Sequence, residues 1–156
     1  MAAQTVIMAD DSVALERLLP PYANDDAELI ISAMQSPKCM KLFAERAKMA
    51  VLLSHFPSQL NRDGSFILSS QQSLWCAYLS TALSHSENFA AAKEILNILD
   101  WTEGMLFSVG YNLVVGDKYE GFKLLVESNK MSKELISSMR PYSQNEHILQ
   151  LIASNI

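Results

Sequence analysis

The chain has 156 residues, of which 49% are hydrophobic and 19% charged, so its composition predicts one folded domain rather than a disordered protein. The formal net charge is −5 at pH 7, and all of this excess lies in residues 1–30, where six acids face Arg17 alone. An acidic chain argues against nucleic acid as a partner, and no apolar run reaches the roughly 20 residues of a membrane span. No secretory signal is visible, so we expect a cytoplasmic protein. The acidic net charge also argues against binding to an anionic membrane surface.

Apolar residues recur along most of the chain at spacings of three and four, which is the period of amphipathic helices. Residues 1–9 are the exception. They are predicted to be flexible or to form a short strand, because Thr5 to Met8 are apolar or β-branched. The largest loop is predicted over 56–69, where Pro57 and the tight turn of residues 61–64 interrupt the helical pattern.

Helix starts are predicted from side chains that accept hydrogen bonds from the first N–H groups of a helix, and from a proline at the first helical position. In chain order they are Asp10 or Asp11, Asn24 or Asp25, Pro37, Ser69 or Ser70, Ser86, Asp100 or Thr102, the break at Gly116-Asp117, Ser132, and Ser143 in a Ser-x-x-Glu capping box. The helix after Pro37 should be the longest and reach about His55.

The sequence therefore predicts an all-α fold, a single helical domain over 1–156. Its connections are short, so we expect eight or nine short antiparallel helices. Two arrangements are compatible with this pattern, a solenoid-like stack of α-hairpins and a compact bundle around a central helix over 101–115. Segments 74–99 and 104–129 are each predicted to form one hairpin.

The two predicted hairpins match when one is shifted by 30 positions, with Leu83 on Leu113 and Phe89 on Tyr119. This match indicates either a degenerate repeat or helical patterning alone. In the second hairpin the order Gly116-Asp117-Lys118-Tyr119-Glu120-Gly121 resembles the turn and second helix of tetratricopeptide repeats, and residues 86–92 are similar without the glycine. Over 77–129 the resemblance implies a concave surface that holds an extended or helical peptide. Small acidic helical proteins of this size also resemble bacterial secretion chaperones.

No pattern of residues predicts catalysis, a metal site or a cofactor. Phosphate-binding loops, nucleophile elbows and zinc-protease motifs are absent from the sequence. The histidines His55, His85 and His147 are not spaced as metal ligands. Cys39 and Cys76 are interpreted as buried, reduced thiols. An enzyme with a dispersed site stays an alternative, which a deep polar pocket lined by one of the histidines would favour.

We therefore predict a non-enzymatic protein–protein interaction module, an adaptor, chaperone or regulator, that binds a partner polypeptide through an apolar helical surface. The alternative is a helical-bundle regulator whose groove takes an amphipathic helix. A homodimer is also compatible with the sequence. The eight methionines are interpreted as core filling or as an adaptable binding groove. Candidate contact residues are four aromatic side chains of the predicted helices and a lysine stripe after Pro37: Tyr78, Phe107, Tyr111, Tyr119, Lys38, Lys41 and Lys48.

Overall fold

Helices are the only regular elements in the part of the chain that the computed structural model describes, residues 2–19, 27–53 and 68–156. Of Ala2 and residues 49–53 only the backbone is described. The ten α-helices there are α1 (Ala2–Met8), α2 (Ser12–Leu18), α3 (Ala27–Ser32), α4 (Pro37–Leu53), α5 (Ser70–Leu83), α6 (Phe89–Ile98), α7 (Glu103–Val115), α8 (Tyr119–Glu127), α9 (Lys133–Ser137) and α10 (Glu146–Ser154). Short 3-10 turns cover Ala33–Gln35, Ser86–Asn88 and Arg140–Tyr142.

The all-α prediction is confirmed, and the described residues form one helix more than the eight or nine predicted, because α1 was not expected. None of the described helices combines the length and the hydropathy that crossing a bilayer requires. The helix after Pro37 is the longest of them. The predicted loop over 56–69 and the predicted caps Asn24 and Asp25 lie outside the described residues, apart from positions 68 and 69.

The predicted short strand at the N-terminus is wrong, because these residues form α1. Asp10 ends the helix in the left-handed conformation, with φ of 53°, and the Asp11 N–H donates to the Val6 carbonyl at 2.9 Å. This backbone arrangement satisfies the last carbonyls of a helix. The side chain of Ile7 is fully buried, and the Ser36 hydroxyl donates to the Ile7 carbonyl at 2.6 Å. Tertiary packing therefore overrides the weak β preference of this segment.

Four predicted helix caps are confirmed. Asp11, Thr102 and Ser132 each accept a hydrogen bond from a backbone N–H in the first turn of α2, α7 and α9. Ser69 does the same for α5 and forms a complete capping box with Gln72, because the Gln72 side-chain oxygen accepts a hydrogen bond from the Ser69 N–H at 2.9 Å. These helices begin where the local sequence predicts.

Two other predicted caps are wrong. Ser86 begins a 3-10 turn, and α6 starts after Asn88, whose side chain makes no capping bond. At the last helix the cap is Asn145, whose Oδ1 accepts hydrogen bonds from the N–H groups of His147 and Ile148. Ser143 instead accepts a bond from the Asn145 N–H, so it supports the cap without being one.

Backbone contacts group the chain into two compact units, of which the first comprises Met1–Ser54 and Glu87–Asp100. In this unit α4 packs along α6, while α1 contacts both α2 and α3. The core consists of apolar side chains from all of these helices. Its buried members include Ile7, Leu15, Ile30, Met40, Phe43, Ala44, Ala47, Ala92, Ile95 and Leu96.

The second unit comprises His55–Ser86 and Trp101–Ile156. Here α7 contacts α5, α8 and the 3-10 turn Arg140–Tyr142, and α10 packs on α8 and α9. The buried side chains include Trp75, Leu79, Leu83, Met105, Val109, Leu113, Phe122, Leu125, Met139, Ile148 and Ile152. Because three elements pack on α7, this unit fits the compact bundle better than the solenoid-like stack.

The predicted hairpin over 74–99 is wrong, because α5 belongs to the second unit and α6 to the first. The main partner of α6 is α4, and that of α5 is α7. The prediction for 104–129 fits better, since α7 and α8 contact each other. The prediction of one domain over 1–156 stays a prediction.

Candidate partner-binding surface

One row of α7 carries apolar side chains that the core does not cover. Phe107, Tyr111 and Val115 stand four residues apart, so they follow one another along the same side of the helix. Phe107 is half-buried, whereas Tyr111 and Val115 are exposed. The rest of α7 is mainly buried, including Met105, Leu106, Val109, Leu113 and Val114. The helix therefore serves the core on one side and presents an apolar row on the other.

Tyr142 extends this row from the neighbouring 3-10 turn. Its ring lies 5.0 Å from that of Tyr111 and 6.3 Å from that of Phe107, nearly perpendicular to both at 78° and 86°. Phe107 and Tyr111 are close to parallel, at 16° and 6.2 Å. Edge-to-face contacts of this kind are favourable. The three rings therefore hold one another in place, although Tyr111 is 39% and Tyr142 44% exposed. We call Phe107, Tyr111, Val115 and Tyr142 the aromatic row.

Gly110 lets the 3-10 turn approach α7 closely enough to place Tyr142. A Cβ at this position would lie 3.1 Å from the Met139 methyl and 3.4 Å from the Met131 methyl. Met139 precedes the turn and is fully buried. The two methionines thus fill the space that the glycine leaves open, and the turn that follows brings Tyr142 over the rings of α7.

Hydrogen bonds join α7 to α5. The Cys76 thiol donates to the Met105 carbonyl at 3.5 Å, and the Asn112 amide donates to the Ser80 hydroxyl at 3.4 Å. Burial raises the pKa of Cys76 to about 12, although a hydrogen bond with Ser108 acts in the opposite direction. At neutral pH this thiol is therefore protonated and a poor nucleophile, and it acts as a packing residue.

The structure places the other predicted aromatic residues differently. Tyr78 is 4% exposed and packs edge-on against Trp75 at 5.1 Å, so its prediction as a contact residue is corrected to a core role. Tyr119 is half-buried, and its ring lies 5.7 Å from that of His147 on α10. It belongs to the same unit as the aromatic row but shares no ring contact with it in the described residues.

The predicted lysine stripe belongs to the first unit. Lys38, Lys41 and Lys48 are exposed along α4, on the side away from its buried apolar residues. None of these ammonium groups forms an ion pair within the residues that the structure describes. The chain's acidic first fifth packs on α4 elsewhere. The Arg46 guanidinium donates to the Glu16 carbonyl at 3.5 Å, and the Cys39 N–H donates to Asp10 Oδ1 at 3.0 Å.

The sequence did not identify Val115 and Tyr142 as candidates. Val115 follows Tyr111 by four residues, so extending the helical spacing from Phe107 would have found it. Tyr142 had no comparable signal. It follows a predicted helix end at Arg140-Pro141, and a single aromatic residue in a turn belongs to no periodic pattern.

A surface depression of about 460 Å3 lies beside α9 and is lined by Lys133, Glu134, Ser137, Ser138 and Ile156. Neither His85 nor His147 lines it. His85 and His147 are exposed, and His55 lies outside the described residues. In the described part of the chain, no three His, Cys, Asp or Glu side chains converge as metal ligands would.

Comparison of the chain with protein-family models, curated proteins and solved structures gives no match.

Proposed function

We propose that this protein is a non-enzymatic protein–protein interaction module that binds a partner polypeptide through the aromatic row. One observation carries the proposal: three aromatic rings are fixed by mutual contacts and two of them still face solvent. Tyrosine is enriched among residues that dominate binding energy, and a ring already held in place loses little entropy on binding. An exposed, ordered group of this kind favours binding over a purely structural role.

The size of the row supports a short partner segment rather than a large domain. With roughly 200 Å2 per aromatic side chain, the exposed parts of Tyr111 and Tyr142 amount to about 170 Å2, to which Val115 adds. A standard interface buries about 800 Å2 per partner, so the row supplies only the apolar centre of one. From Phe107 to Val115 it spans about 12 Å, or about two helical turns. These dimensions suit an amphipathic helix laid along α7.

The test compares partners captured by three forms of the full chain: wild type, Tyr111→Ser/Tyr142→Ser, and the control Ile156→Ser. Ile156 is also exposed and lies in the same unit. We expect a stoichiometric polypeptide with the wild type and the control. The purified complex should weaken by at least about 30-fold in the double variant, corresponding to about 2 kcal/mol.

Two results would contradict the proposal. The first is a partner that binds the double variant as tightly as the wild type, with circular dichroism showing that the variant is folded. The second is a co-purifying small molecule with no polypeptide, which would favour the enzyme alternative.

A further inference from the structure

Met131 is the one buried residue in the connection between α8 and α9. Every other residue of 127–134 is exposed or half-buried, whereas Met131 is only 7% exposed. Hydrogen bonds at the helix ends hold the connection on both sides. The Asn129 N–H donates to the Val126 carbonyl at 3.3 Å, with Asn129 in the left-handed conformation, and Ser132 caps α9. The Met131 side chain therefore points inward from a connection that otherwise faces water.

The Met131 methyl group supports the 3-10 turn that carries Tyr142. It lies 3.4 Å from the position that a Cβ of Gly110 would take, and the Met139 methyl group lies 3.1 Å from the same position. The two methionines therefore lie side by side over the glycine. Met139 immediately precedes the turn, and its carbonyl accepts a hydrogen bond from the Tyr142 N–H at 3.1 Å. A chain of neighbours thus leads from Met131 to the Tyr142 ring, which packs on Tyr111.

Exposure makes Met131 the methionine of the second unit that an oxidant should reach first. The other methionines of this unit, Met105 and Met139, are fully buried. A peroxide oxidises the thioether by transferring one oxygen atom: a sulfur lone pair forms the S–O bond, the O–O bond breaks, and water or an alcohol leaves. The sulfur loses two electrons and the peroxide gains them. The product, methionine sulfoxide, is polar where the thioether was apolar.

We propose that Met131 is an oxidation site and that its sulfoxide releases the 3-10 turn, which loosens Tyr142 and weakens binding through the aromatic row. The effect on binding rests on the proposed function. A sulfoxide oxygen held beside Gly110 and the Met139 methyl group would lose its hydration, which costs free energy. Turning the side chain to water relieves this cost but withdraws the methyl group from Gly110. Met139 then lacks a neighbour, and the turn that follows it is held less firmly against α7.

The first experiment maps the oxidation. The full chain is treated with increasing amounts of hydrogen peroxide, and the sulfoxide at each methionine is measured by peptide mass spectrometry. We expect Met8, which is 85% exposed, to react first and Met131 to follow. The fully buried Met105 should react last. Oxidation of Met131 that is no faster than that of Met105 would overturn the proposal.

The second experiment follows the aromatic row in the same samples. With isotope-labelled tyrosine rings, the NMR signals of Tyr111 and Tyr142 should shift in proportion to the fraction of Met131 sulfoxide. Reduction of the sulfoxide by methionine sulfoxide reductases should restore the signals. Because this comparison uses the wild-type protein, it does not depend on the folding of a variant. Unchanged tyrosine signals in protein whose Met131 is fully oxidised would refute the proposal.

Two variants assign the effect to one residue. Met131→Leu keeps an apolar side chain of similar size without the sulfur, so peroxide should leave its tyrosine signals unchanged. The matched control Met34→Leu replaces a methionine of similar exposure, 6%, in the first unit, and its tyrosine signals should shift as in the wild type. Equal shifts in both variants would contradict the proposal, since another methionine would then be responsible.

The last measurement is the affinity for the polypeptide that the wild type captures. We expect oxidation to weaken the wild-type complex about tenfold and to change that of Met131→Leu by less than about twofold. Oxidised wild type that binds as tightly as the reduced protein would overturn this regulation and leave the proposed function in place. A partner that needs neither Tyr111 nor Tyr142 would instead refute the proposed function, while the tyrosine signals would still decide whether Met131 controls the turn.

Discussion

Replacing Gly121 by alanine should destabilise the protein more than the same replacement at Gly110. Gly121 is buried in α8, at the point where that helix crosses the end of α5. A Cβ built on it would lie 1.9 Å from the carbonyl oxygen of Leu83 and 2.8 Å from its carbonyl carbon. Both are backbone atoms, so no side-chain rotation can relieve the contact.

The magnitude follows from two opposing effects. Alanine is favoured over glycine inside a helix by about 1 kcal/mol. Against this, α5 and α8 must separate by about 1 Å, which opens the packing around the buried Leu83 and Phe122. Overpacking of a core usually costs about 1–3 kcal/mol. The cost here should reach or exceed the upper end of this range, because the backbone of Leu83 cannot move aside as a side chain could. We expect a net loss of at least about 2 kcal/mol in the free energy of unfolding.

The assay is urea unfolding at equilibrium, and the matched control is Gly110→Ala. Gly110 is also a buried glycine inside a helix, but the atoms nearest its Cβ are the flexible ends of Met139 and Met131. Those methyl groups can move, so Gly110→Ala should stay within about 1 kcal/mol of the wild type. If both variants were equally stable, the close approach of α8 to the Leu83 carbonyl would be refuted.

Three further predictions concern caps, thiols and a strained turn. Ser69→Ala removes one bond of the capping box and should cost about 1 kcal/mol in urea unfolding, whereas Ser70→Ala, one residue later and exposed, should be nearly neutral. Burial, followed by the charge of Asp10, raises the pKa of Cys39 to about 11, and burial raises that of Cys76 to about 12, so the folded state retains these protons longer than the unfolded state. The contribution of these thiols to stability should thus be complete below their ordinary pKa of 9.0 and should fall as the pH rises toward 11 and 12. Cys76→Ala should lose less stability over this pH range. An equally steep loss in that variant would contradict the raised pKa of Cys76. Asp117 follows α7 with φ of 55°, a conformation that glycine adopts more easily than aspartate. Asp117→Gly should therefore raise the urea midpoint and increase the free energy of unfolding by up to about 1 kcal/mol. A lower midpoint would show that the aspartate side chain is needed.

Local chemistry made much of the helical structure predictable. Thr102 and Ser132 cap the helices expected of them because the capping bond involves only neighbouring residues. Apolar spacing identified α7 and α8, because apolar residues recur every three or four positions along an amphipathic helix. The same reasoning failed for α1, whose stability depends on distant contacts such as that between Ser36 and the Ile7 carbonyl.

Helix pairing and part of the candidate surface could not be predicted. That α6 packs on α4, and α5 on α7, depends on which faces fit one another across the fold, and each amphipathic helix offers a similar stripe. Tyr78 shows the limit for single residues, because a buried and an exposed tyrosine look alike in the sequence. Phe107 and Tyr111 were predicted as contact residues in a helix, whereas Tyr142 joins them only because Gly110 lets the 3-10 turn approach α7.

The most direct test of the aromatic row is site-specific photocrosslinking to a native partner. The photoreactive residue p-benzoylphenylalanine is placed at position 111 of the full chain, and in a second sample at the partly exposed Lys123 of α8, as a control in the same unit. A covalent adduct with one polypeptide from position 111, without one from position 123, is the result that we predict. Adducts from position 123 alone, or from both positions equally, would show that the partner does not bind along α7.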